Sequence, residues 1–110
     1  MRWRKLGRVY APSGDRAWAR THAHLPTAVP MGDHIRVYYA GLDDGRVGRI
    51  GFVDVDAADP TRIVDDPDTV SLDVGEAGLF DDTGVNPSYV VATGDVVRLY
   101  YIGWQRAERV

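Results

Sequence analysis

The chain carries a repeat of itself. Gly32-Asp33-His34-Ile35-Arg36-Val37-Tyr38-Tyr39-Ala40-Gly41 aligns with Gly94-Asp95-Val96-Val97-Arg98-Leu99-Tyr100-Tyr101-Ile102-Gly103 at a constant offset of 62, with six identities in ten positions and conservative changes between. Trp18 and Phe80 keep the offset, and Pro26 matches Pro87 with one residue of slippage. Both copies are β-branched and aromatic runs bounded by glycine, which is strand chemistry. No window of a dozen residues holds an apolar period of 3.6, so long helices are not expected.

Further strands follow from the same reading. Residues 35–40 and 48–55 flank Asp43-Asp44-Gly45-Arg46, whose Asp-Gly pair suits a tight turn, and predict a hairpin. Residues 88–92 and 96–102 form a second pair through Thr93-Gly94-Asp95. Residues 61–64 and 69–72 read as a weaker outer strand, and residues 6–10 as a lone strand. A repeat longer than 50 residues with about four strands per unit reads as antiparallel β-propeller blades. The expectation is a single all-β unit over 1–110, with a first blade over about 18–73 and a partial second blade over about 80–104. So few blades cannot close, so completion by further chain or by a homo-oligomeric ring is expected. Two similar hairpins in a sandwich are the alternative.

Composition bounds the function. With 45% hydrophobic and 26% charged residues the 110-residue chain is globular in character. It has no cysteine, which excludes disulfides, thiolate catalysis and cysteine-ligated metals. A net charge of -3 argues against a nucleic-acid partner, and the short apolar runs argue against a membrane partner. No signal-peptide core follows Met1, so the expected location is the cytoplasm. Residues 1–22 hold six basic groups and one acid, whereas residues 54–82 hold ten acids and one base, Arg62. These segments either attract each other or meet another chain.

Several stretches resemble the five-bladed β-propeller glycoside hydrolases of the arabinanase, xylosidase and invertase type. They are Trp18 through Pro26, Arg36-Val37-Tyr38-Tyr39, the Asp43-to-Ile50 turn, Phe80 through Ser88, and Tyr100-Tyr101-Ile102-Gly103-Trp104. The resemblance implies hydrolysis of glycosidic bonds in a funnel completed by further blades or subunits, with carbohydrate as partner and no cofactor or metal. A non-catalytic carbohydrate-binding or structural assembly module is the alternative. Such enzymes place an acid before the proline of each inner strand; here Leu25 and Asn86 stand there.

The candidate residues follow. Asp81 and Asp82 are the candidate catalytic acids. Two adjacent acids bind hydroxyls, hold a cation or raise each other's pKa, or else cap a turn. His22 and His24 share one face if the segment is a regular strand, and contact sugar, ligate metal or serve structure. Arg46 either pairs with a carboxylate across the funnel or forms a hairpin-tip pair with Asp43. Asn86 joins the substrate-binding set. Trp18 and Trp104 form a sugar platform or fill space between blades. Glu76 reads as a loop residue and His34 as an exposed turn residue.

Overall fold

A computed structural model of the chain describes residues 1–106. Six strands carry it: β1 (Thr21–Pro30), β2 (His34–Leu42), β3 (Gly48–Asp56), β4 (Ile63–Asp65), β5 (Gly84–Thr93) and β6 (Val96–Trp104). They form one open, mixed sheet in the order β1-β2-β3-β5-β6, with β4 paired to β3. All pairings are antiparallel except β3 with β5, which meet in parallel at Gly48 and Gly84. Among the described residues no helix is long and apolar enough to cross a membrane.

This topology corrects the propeller expectation and the glycosidase resemblance built on it. Propeller blades are separate sheets set around a channel. Here the two repeated segments belong to one hydrogen-bonded sheet that neither curls nor closes. The 62-residue repeat is real at a smaller scale, as a repeated hairpin. Val29 faces Arg36 and Thr27 faces Tyr38, just as Val91 faces Arg98 and Tyr89 faces Tyr100. The lone strand expected over 6–10 does not form; residues 1–15 run without strand pairing. The outer strand shortens to β4, and Leu72 adds only a bridge to Ile50.

The β2–β3 turn forms where Asp-Gly predicted it, by another mechanism. Asp43 Oδ1 accepts the amides of Gly45 and Val47, each at 2.9 Å, and Arg46 rather than Gly45 takes the left-handed conformation, at φ 62°.

The core lies where β2 and β3 run side by side. Tyr39, Ala40, Ile50 and Val85 are almost fully buried. Trp18 lies flat across this pair, stacked on Tyr39 with centroids 5.9 Å apart. Gly41 and Gly51 leave it room: a Cβ at Gly41 would lie 3.3 Å from the indole, and one at Gly51 would overlap it. Trp18 Nε1 donates to Asp68 at 2.8 Å. Arg36 and Asp54, opposite on β2 and β3, form a two-pronged ion pair at 2.9 and 3.1 Å, with Phe52 beneath the guanidinium.

The charge segregation seen in the sequence is partly met within the chain. Arg16 bonds Asp66 at 2.9 Å and approaches Asp68. Because overpacking a dense site costs about 1–3 kcal/mol, Gly51→Ala is expected to lower the urea midpoint by that much stability. Gly45→Ala meets only Asp43 Oδ1 at 3.4 Å and is expected to change stability by less than about 0.5 kcal/mol.

Candidate functional site

Concavities among the described residues open at two places on the sheet that bear on the site. The first, about 360 Å³, lies beneath the N-terminal segment and is lined by apolar groups such as Val9, Ile35, Val37 and Val55 with the two tyrosines Tyr10 and Tyr39. Those tyrosine hydroxyls already bond each other at 3.2 Å, and Tyr10 donates to Asp66. That groove is a seam of packing with little chemistry to offer. The second, about 300 Å³, gathers His24, Arg46, Asn86, Trp104, Gln105 and Arg106 around the Gly48–Gly84 junction. Polar groups converge there from four separate parts of the chain, so it is the candidate site.

The junction explains the convergence. The parallel approach of β3 and β5 is tight at Gly48, where a Cβ would sit 3.2 Å from the Asn86 side-chain amide and 3.3 Å from the Val85 carbonyl, while one at Gly84 would make ordinary contact with the Gly48 nitrogen at 3.4 Å. It brings the starts of β1 and β5 together. His24 pairs with Ala40 and Asn86 with Ile102, so the two residues hold corresponding places in the repeated hairpins.

The start of β1 is strained. Register shifts lie on both sides of His24, and His22 and Leu25 both have left-handed backbone, at φ 64° and 52°. Such non-glycine conformations cost about 1–3 kcal/mol each and persist where the surroundings impose them. The regular alternation that put both histidines on one face is therefore broken. His22 is exposed and its Nδ1 bonds Thr21, while the two rings still meet edge to face at 5.8 Å. His24 is half-buried, and its Nε2 is buried without a hydrogen-bond partner. Burial first, then the neighbouring His22, push its pKa below 6.5, partly opposed by the Asn86 amide.

Opposite His24 stand two cations. Arg46 sits at the hairpin tip, and its side chain has no ion-pair partner among the described residues. Arg106 donates to the Gly45 carbonyl at 3.3 Å, and its amide bonds Thr83 Oγ1 at 3.3 Å. The Asn86 amide accepts the Trp104 indole N–H and donates to the Val85 carbonyl at 3.1 Å, which fixes the indole at the rim. Trp104 remains half exposed. Among the described residues no carboxylate lines the cleft.

The proposed acids lie elsewhere. Asp82 accepts the Gly78 amide and the Thr83 hydroxyl, each at 2.8 Å, and these bonds, the amide first, lower its pKa. It closes a loop. Asp81 is buried, accepts the Tyr101 hydroxyl at 2.9 Å and leaves Oδ1 unpartnered. Asp43 is committed to its turn and to Arg49 at 2.7 Å. Burial opposes its ionisation, but the Val47 amide, Arg49 and the Gly45 amide hold its pKa below the ordinary range. Trp18 covers the core. His34 is half-buried on β2, beside Asp33 and 3.7 Å from Asp54. Asp81 and Asp82 thus lie outside the cleft, and the single open sheet forms no propeller funnel, which overturns the glycosidase-like propeller reading. Among the described residues no group of three or more His, Asp or Glu is placed to hold a metal.

His24, Arg46, Asn86 and Trp104 were singled out from the sequence and do come together. Thr83, Gln105 and Arg106 were not. Arg106 lies in a tail without strand pattern, and only its position just after the repeated Tyr-Tyr-x-Gly run marks it.

A depressed histidine pKa has a defined consequence. The folded state binds fewer protons than the unfolded chain between the lowered pKa and 6.5, so stability falls as pH drops through that window. The His24 contribution is fully present above pH 6.5. Urea titrations from pH 8 to pH 5 are expected to show a slope below pH 6.5 that His24→Gln reduces.

No protein-family model matches the chain, and no solved structure matches it. It is 45% identical over 111 residues to "Uncharacterized protein Rv1502" of Mycobacterium tuberculosis strain H37Rv, and equally to "Uncharacterized protein MT1551" of strain CDC 1551. The match takes in all of this chain and 37% of each relative, so the chain spans little more than a third of the length of the curated relatives it matches.

Proposed function

We propose that the chain is a binding module for a small organic anion, held in the cleft at the Gly48–Gly84 junction. The observation that carries this reading is the meeting of Arg46 and Arg106 in a cleft of about 300 Å³ that no carboxylate lines among the described residues. Two guanidinium groups without lining acids favour a carboxylate or phosphate, because each supplies planar, charge-assisted donors. Neutral His24 adds a buried ring nitrogen without a partner, and below its pKa it adds a third positive charge. The exposed face of Trp104 offers a flat apolar surface for the body of the ligand.

The test compares two probes that differ by one carboxylate. Glucuronate and glucose are titrated into the protein while Trp104 fluorescence and amide shifts around Gly84 are followed. Glucuronate is expected to bind and glucose to bind at least about tenfold more weakly. Arg46→Ala is expected to weaken glucuronate by about tenfold, the equivalent of one charge-assisted bond of ~1.4 kcal/mol. Equal binding of the two probes, or no response to Arg46→Ala, overturns the reading.

A further inference from the structure

The repeated hairpin is finished on one side and unfinished on the other. In the first copy, β2 is covered on both edges, by β1 and by β3. In the second, among the described residues, β6 pairs with β5 alone and its other edge is free. The same residues show the difference. Tyr39 is 1% exposed and Ala40 0%, whereas the corresponding Ile102 is 45% exposed. Val96, Tyr100 and Trp104 on β6 are also at least half exposed. Free, apolar strand edges are uncommon because they invite pairing.

The packing of the second copy reproduces the first up to the missing neighbour. Phe80 stacks on Tyr101 with centroids 6.1 Å apart, as Trp18 stacks on Tyr39 at 5.9 Å. A Cβ at Gly103 would lie 2.5 Å from the Phe80 ring and 2.6 Å from Asp81 Cβ, as one at Gly41 would crowd Trp18 and Ala19. Trp18, however, reaches on across Gly51 of β3, while Phe80 has no such strand beneath its outer half and is 62% exposed. Arg36 has Asp54 of β3 as its partner. Its counterpart Arg98 is exposed and has no side-chain partner among the described residues.

We propose that the free edge of β6 accepts an antiparallel polypeptide strand of the pattern Gly-x-x-Asp, with its glycine opposite Tyr101 beneath Phe80 and its aspartate opposite Arg98. The register is transferred from β2 and β3, where Tyr39 faces Gly51 and Arg36 faces Asp54. The glycine is required because any Cβ there would meet the aromatic ring, and the aspartate because it completes an ion pair across the strands. The occupant is a strand from polypeptide outside residues 1–110, and the longer relatives have ample further chain to contain one.

The probe is a synthetic peptide with the sequence of residues 48–56, titrated into the 110-residue protein. Amide exchange along β6 and the β2 amides are followed together, so that binding at β6 is told apart from exchange with the resident β3. Saturable binding with new protection confined to β6 is expected. Peptides carrying Gly51→Val or Asp54→Lys are expected to bind about tenfold or more weakly. The Asp54→Lys peptide is expected to regain affinity for protein carrying Arg98→Glu, an exposed change that leaves the core intact. Three results overturn the proposal: no binding at β6, equal binding of all three peptides, or no recovery in the charge swap. A mass measurement showing that β6 is instead buried in a dimer also overturns it, since a second copy would then be the occupant.

Discussion

One indole holds the first half of the molecule together. Trp18 lies on bare backbone at Gly41 and Gly51, so its ring contacts two neighbouring strands at once. A large aromatic ring buries some 150–250 Å² in such a position. It also links segments far apart in sequence. Its nitrogen bonds Asp68, its face stacks on Tyr39, and Tyr39 bonds Tyr10, which in turn bonds Asp66. The strandless N-terminal segment and the acidic loop are both anchored through this one cluster. Arg16 adds bonds to Asp66 and to the Pro67 carbonyl. Exposed ion pairs contribute only about 0–1 kcal/mol each, so burial of the ring is the larger effect.

The buried polar groups follow a different rule. Asp54 is nearly inaccessible and is compensated by both prongs of Arg36, with His34 nearby. Removing one member of such a pair strands the other, which is worse than never having buried either. The second hairpin differs: Arg98 holds the place of Arg36 with no acid across from it among the described residues, and being exposed it bears no such cost. The two hairpins thus share one design with unequal surroundings.

The cleft is the place where regular strand geometry fails. Among the described residues three non-glycines, His22, Leu25 and Arg46, take left-handed backbone; the first two bracket His24 and the third lines the cleft itself. Local distortion concentrated around one concavity is what a binding site requires when a strand must present a side chain out of its alternating order.

The amino-acid sequence by itself determined the strand chemistry, the hairpin over Ile35–Val55 and the correspondence of Arg36 with Arg98 and of Tyr39 with Tyr101. Those follow from local preference and from a repeat visible in the letters. It also marked His24, Arg46, Asn86 and Trp104 as residues with chemistry to offer. Only the tertiary structure decided that the repeats share one sheet, because the Gly48–Gly84 contact that joins them is a pairing between residues 36 apart with no side-chain signature. Only it separated Asp81 and Asp82 from the cleft, since adjacent acids in a loop are claimed by whichever amides and hydroxyls lie within reach. And only it moved His24 inward, because a bulge is a property of strand pairing, which the order of residues along one strand does not encode.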